Sequence, residues 1–205
     1  MKRWIALLIG LVSFLGIGAC SHVREYADIA RSKEVSEAYR VQLARWTRSQ
    51  IVHSQFETRV HIHATYLGPE FNRAYLDEYA RLYRLSEGEK RSRAESDAAK
   101  ASEFTEFLFY AYIPEKPSND FDRKGSIWSV FLIDSKGQKV LPTGIGRINP
   151  VTPVILNFFP YVHAQYGIAY RLKFPASAAA LIADPSTKLV FTGVVGTVEL
   201  AFGSR

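Results

Sequence analysis

The chain has 205 residues, 47% hydrophobic and 13% aromatic, with 26 basic against 20 acidic side chains and a formal charge of +6. That composition excludes a disordered chain, and the length suffices for one well-buried core. A single cysteine excludes an internal disulfide, and basic residues spread along the chain lack the clustered stripe by which a nucleic-acid binder is read.

The first nineteen residues fall into three zones: basic Lys2 and Arg3, an apolar run from Trp4 to Phe14, and small Gly16, Gly18 and Ala19. A membrane-spanning helix needs about 20 predominantly apolar residues. This run is shorter and meets Ser21, His22 and Arg24, so the layout is that of a secretory signal over residues 1–19. Cys20 follows directly, and Ile17-Gly18-Ala19-Cys20 resembles the lipobox of bacterial lipoproteins position by position. The resemblance implies that the Cys20 thiol receives a diacylglycerol and that the preceding peptide is removed. The acyl chains, at about 0.8 kcal/mol per buried CH₂, would then hold the protein on a membrane of the cell envelope. Ser21 is not the aspartate of the inner-membrane retention rule, which implies the outer membrane, facing the periplasm, in a diderm cell. Loss of Lys2 and Arg3 leaves 24 basic residues against 20 acidic ones, a charge of +4.

Residues 20–34 are expected to form the lipid anchor and juxtamembrane segment, and 35–205 a single α+β domain. Val35, Tyr39, Leu43 and Trp46 recur at helical spacing and predict an N-terminal helix. From Phe56 to Tyr66, Val60, Ile62 and Ala64 alternate with Arg59, His61 and His63, which predicts a half-buried strand. Gly68-Pro69-Glu70 ends the strand and starts a helix, with proline where a missing N–H costs nothing. Phe71, Tyr75, Tyr79 and Leu82 form its stripe, Arg73, Asp77 and Arg81 an i, i+4 series on another face, and Gly88 its stop. Residues 89–103 predict a second, exposed helical piece, with Ser92 and Glu95 at capping-box spacing.

Beyond Phe104 the pattern turns to strands: FTEFLFYAYI, SIWSVFLID, KVL, VILNFF, YGIAYRLKF, KLVFT and TVELAF, separated by turn signals. The expected architecture is therefore an antiparallel β-sandwich-like domain with a helical insertion at about 69–102 between its first and second strands. The Phe158-Phe159-Pro160-Tyr161 and Phe174-Pro175 segments resemble those of uncharacterised bacterial lipoproteins, a resemblance that implies no activity.

His61-Ile62-His63 is the sharpest chemical feature. Side chains two apart on a strand point the same way, about 6.6 Å apart at Cα, so both imidazoles could share a metal. Further ligands are needed: His53 lies about 26 Å away along an unbent strand, and Glu57 about 13 Å. Two exposed histidines on a solvated face, and no metal, is the expected reading. Asp120-Phe121-Asp122-Arg123-Lys124-Gly125 has Lys124 at a calcium ligand position and Phe131 in place of the bidentate glutamate, and reads as a surface turn. Gly144-Ile145-Gly146-Arg147 lacks the third glycine of a dinucleotide loop and reads as a bend or bulge. His163 reads as structural or solvent-facing, and Asp77 and Glu78 point apart on their helix. With no catalytic motif and no cofactor signal, the leading expectation is a non-enzymatic envelope lipoprotein that binds another envelope protein or serves as an accessory. The alternative is a periplasmic ligand or metal binder using His61 and His63.

Overall fold

The computed structural model describes residues 34–202. Cys20, the lipobox and most of the 20–34 segment lie outside them. In chain order the elements are helix α1 (Glu37–Trp46), strands β1 (Thr47–Ser54) and β2 (Glu57–Tyr66), helices α2 (Pro69–Tyr83) and α3 (Glu87–Glu103), and β3 (Phe104–Tyr112). Then come β4 (Trp128–Ile133), β5 (Lys139–Val140), β6 (Gly144–Arg147), helix α4 (Pro153–Phe158), β7 (Ile168–Pro175), helix α5 (Ala178–Ile182), β8 (Lys188–Gly193) and β9 (Gly196–Ala201). A 3-10 turn at Lys116–Ser118 lies between β3 and β4.

The strands form two antiparallel sheets, ordered β1-β2-β3-β7-β6 and β5-β4-β8-β9. Alternate residues of the central strands meet between them: Val60, Ile62 and Ala64 from β2, Phe107 and Phe109 from β3, and Tyr170, Leu172 and Phe174 from β7. Trp128, Val130, Leu132, Leu189, Phe191, Val198 and Leu200 face them from the second sheet. Each large side chain buried this way contributes roughly 1.5–3 kcal/mol. The α+β sandwich with an N-terminal helix is thus the fold expected from the pattern. One edge is laced by side chains, since Arg48 Nε donates to the Ala201 carbonyl at 2.8 Å and Gln50 Oε1 accepts from the Glu199 amide at 2.8 Å.

The helical insertion falls between the second and third strands, not the first and second. Thr47–Ser54 is an additional strand, turned back onto β2 through Gln55 at φ 57. Its sequence TRSQIVHS shows no apolar alternation because only Val52 reaches the sandwich core. VILNFF is not a strand: Thr152 Oγ1 accepts from the Ile155 amide and Pro153 opens α4. Gly88 does not stop α2. Arg84 does, in the left-handed region at φ 52, while Gly88 lies in the first turn of α3. The capping box is Ser86 with Glu89, not Ser92 with Glu95. On α2, Asp77 pairs with Lys90 at 2.7 Å and Arg81 with Glu78 at 2.6 Å. Asp77 and Glu78 do point apart, as their partners show. Gly144 and Gly146 sit in edge strand β6, not in a bulge.

Residues 120–125 are not a surface turn throughout. Phe121 enters the sandwich core and buried Asp120 accepts from Ser126 Oγ at 3.0 Å. This crossing from one sheet to the other is tied at Asn119, whose Nδ2 donates to the Ala111 carbonyl at 2.8 Å. Tyr170 Oη donates to Asn119 Oδ1 at 2.9 Å, and Trp128 Nε1 to the Ser118 carbonyl at 2.7 Å.

Helices α1, α2 and α4 build a second core on the outer face of the first sheet. Tyr39, Phe71, Tyr75, Phe158 and Phe159 pack ring on ring, with centroids 5.3 Å apart for Tyr39 and Phe158 and 4.5 Å for Tyr75 and Phe158. The Tyr39 hydroxyl donates to the Phe158 carbonyl at 3.0 Å. Glu78 is buried there, accepting from Ser36 N at 2.8 Å and Ser36 Oγ at 2.6 Å. Burial alone would raise its pKa, but the hydrogen bonds from Arg81 and Ser36 outweigh it and hold the carboxyl below the usual range. Helix α3 buries no residue and is held at its start by Lys90 and by Arg93 over the Tyr79 ring at 4.5 Å.

Asn119→Ala removes the side-chain donor to the buried Ala111 carbonyl and one of the two acceptors of the Tyr170 hydroxyl, which keeps the Asn119 carbonyl at 3.0 Å. It is expected to cost about 1–3 kcal/mol of unfolding free energy in urea, at unchanged m-value.

Candidate functional site: a histidine and tyrosine cleft

Because strand side chains alternate, β2 sends His61 and His63 to the face opposite the sandwich core. Antiparallel register then sets Tyr112 of β3 beside His61 and Tyr110 beside His63, with Leu108 beside Thr65 one step further on. The helical layer covers the Thr65–Leu108 end of this face. The His61–Tyr112 end is left open, and the segment after α4 lies along it.

That segment, residues 159–167, folds back on itself: the Val162 amide donates to the Phe159 carbonyl at 2.9 Å, and the Tyr166 and Gly167 amides to the His163 carbonyl at 2.9 and 3.1 Å. Buried Val162 pins it, and the Tyr161 hydroxyl shares a 2.6 Å hydrogen bond with Thr65 Oγ1. The Tyr110 hydroxyl donates to the His163 carbonyl at 3.2 Å. Gly167 permits the close approach, since a Cβ there would stand 2.5 Å from the Ala111 carbonyl oxygen and 2.6 Å from the Tyr110 ring.

The result is an open cleft of about 400 Å³ lined by His61, His63, Tyr110, Tyr112, Tyr161, His163 and Tyr166. Volumes of roughly 300–1,000 Å³ are those of ordinary small-molecule sites. Three of its rings form a stepped row: His61 and His63 lie 4.1 Å apart centre to centre, and His63 stacks on Tyr161 at 5.0 Å with planes 7° apart. Tyr110 forms the floor, 3% exposed, and Tyr166 the rim, 60% exposed. No carboxylate, lysine or arginine belongs to the lining.

Burial first, then the neighbouring His61 and His163, lowers the His63 pKa to about 4. Burial and then His53 lower that of His61. Burial pushes Tyr110 up to about 12, and raises Tyr161 against the opposing effect of the Thr65 hydrogen bond. At neutral pH, therefore, His61 and His63 are neutral imidazoles, each with one donor and one acceptor nitrogen.

The pair is thus half-buried and stacked, not exposed on a solvated face. His53 is also nearer than an unbent strand would place it, because the chain reverses at Gln55 and sets it opposite Thr58 on the neighbouring strand. His163 is exposed and joins the cleft wall. Among the described residues, no group of three or more His, Cys, Asp or Glu side chains is placed to hold a metal ion. Tyr110, Tyr112, Tyr161 and Tyr166 were not singled out from the sequence as site residues. The FTEFLFYAY register carries a signal for the first two, whereas Tyr161 and Tyr166 arrive through tertiary folding.

A smaller cavity of about 200 Å³ lies between α2, α3, α4 and β3, with Phe71, Tyr75 and Leu108 among its walls. Its charged groups are largely paired, Arg171 with Glu106 at 2.8 Å and Lys100 with Asp97 at 3.3 Å. Comparison with protein-family models, curated proteins and solved structures finds no match for the chain.

The His63 shift has a defined sign. Folded His63 titrates at about 4 and its unfolded counterpart at 6.5, so between these values the unfolded chain holds more protons. Stability is withdrawn as pH falls through 6.5, and the loss is complete near the folded value. His63→Phe keeps a ring against Tyr161 and removes the titration. The melting temperature of the variant relative to the parent is expected to be higher at pH 5 than at pH 7.5. An offset independent of pH would contradict the assignment.

Proposed function

We propose that the chain is a non-enzymatic lipoprotein of the cell envelope, anchored through Cys20, whose domain is a binding module that recognises its ligand in the histidine and tyrosine cleft. The observation that carries the binding reading is the open aromatic cleft. Its ring faces and hydrogen-bonding atoms are held in place by a buried sheet below and a pinned segment beside it. A lining without carboxylate, thiol or aliphatic hydroxyl favours recognition over chemistry. A metal-binding role for His61 and His63 has less support, because two imidazoles without a third ligand hold zinc weakly. The anchor rests on the lipobox resemblance and on Ser21, which together favour the outer membrane and its periplasmic face.

In a bacterial host the full chain is expected to float with membranes and to incorporate labelled fatty acid, and Cys20→Ser to abolish the labelling and release the protein or leave its signal uncut. Membrane partition and labelling unchanged in Cys20→Ser would overturn the anchor. In the parent chain, exclusion of the protein from the envelope would overturn the localisation.

A further inference from the structure

Resting on the binding-module reading, we propose that the cleft takes a neutral saccharide, with a sugar ring laid against the step formed by His61, His63 and Tyr161 and its hydroxyls bonded to the surrounding imidazole and phenol groups.

The lining of the cleft is uniform in kind. Every one of its seven side chains combines a ring face with an atom that hydrogen-bonds, and none is an acid, a lysine or an arginine. Phosphate and carboxylate ligands are recognised through charge, by arginine forks and lysines, and this site has neither to offer; an ammonium ligand would meet ring faces but no carboxylate to neutralise it. A purely apolar ligand would gain from the rings but would strand the polar atoms. The ligand that suits the site is uncharged, has a flat apolar face, and carries polar groups at its edge.

Hydrogen-bond valence narrows the class further. A tyrosine hydroxyl both donates and accepts, and a neutral imidazole has one nitrogen for each role. The imidazoles of His61 and His63 make no hydrogen bond to protein groups among the described residues, nor do the hydroxyls of Tyr112 and Tyr166. Those of Tyr110 and Tyr161 are engaged with the His163 carbonyl and Thr65, and so fix the rings in place. Sugar hydroxyls donate and accept at the same atom and match such partners in either direction. A proline-rich peptide presents carbonyls, which only accept, and would leave the acceptor half of these groups unused. The C–H face of a pyranose stacks on aromatic rings, and the cleft is open to solvent.

The test uses the full chain in a detergent without a sugar headgroup, titrated with chitotriose, cellotriose and maltotriose by calorimetry and by ¹⁵N-labelled protein NMR, with a decaproline peptide alongside. At least one of the three saccharides is expected to bind saturably and to shift amide signals of 61–63, 110–112 and 161–167. Tyr166→Ala and Tyr112→Ala should each weaken that binding at least about fivefold, as loss of a ring edge and a hydrogen bond to the ligand does. Leu141→Ala, an exposed residue outside the lining, should not. Unchanged thermal melting of Tyr166→Ala would show that the lost affinity is not lost folding. Saccharide binding unaffected by both tyrosine variants would overturn the site. Binding of decaproline but of no saccharide, abolished by Tyr166→Ala, would overturn the ligand class while keeping the cleft as a binding site. Binding of neither probe would overturn both the ligand class and the binding role of the cleft.

Discussion

Strand β3 is buried on both faces, and the rest of the molecule is arranged around that requirement. Phe107, Phe109 and Ala111 enter the sandwich core while Leu108 and Tyr110 point the other way, and all five are 3% exposed or less. A strand with two apolar faces needs two covers. The second sheet supplies one. On the other side α1, α2 and α4 supply a layer of packed rings, closed by the Tyr39 hydroxyl on the Phe158 carbonyl and by buried Glu78 on Ser36. Helix α3 buries no residue, which agrees with its charged, alanine-rich sequence.

The cleft follows from the incompleteness of that second cover. The helices reach Thr65 and Leu108 but not the next two steps of the sheet, where His63 faces Tyr110 and His61 faces Tyr112. There the cover is a short folded-back segment, held by Tyr161 on Thr65 and by the close approach at Gly167. Two neutral imidazoles pressed between a buried sheet and a stacked tyrosine lose solvation without gaining a counter-charge, so their pKa values fall. Structure and electrostatics thus have one cause: polar rings at the boundary between a buried and an open part of the same sheet face.

The parts of this arrangement visible from sequence are those governed by local periodicity. Alternation in β2 marks both the core face and the His61–His63 face, and Gly68-Pro69-Glu70 marks the start of α2. Strand β1 was illegible because an edge strand with one core contact carries no apolar alternation. VILNFF was ambiguous, since a short apolar run fits strand or helix alike, and only the Thr152-Pro153 start signal distinguishes them. Phe121 looked like part of a surface turn because its burial depends on the crossing between sheets. The cleft was half legible: its histidines lie two apart on one strand, but Tyr161, His163 and Tyr166 reach them from about a hundred residues away in sequence. No periodicity links the two segments.

The cleft therefore stands on one ring contact. An aromatic NOESY spectrum of the full chain, with ring protons assigned through Tyr161→Phe and His63→Gln, measures it directly. Cross-peaks between the His63 imidazole protons and the Tyr161 ring protons are predicted, as expected for planes stacked at 5.0 Å between centroids. Their absence, with His63 titrating near the value of a free imidazole, would show that the 159–167 segment does not lie on the sheet and that the cleft does not exist as described.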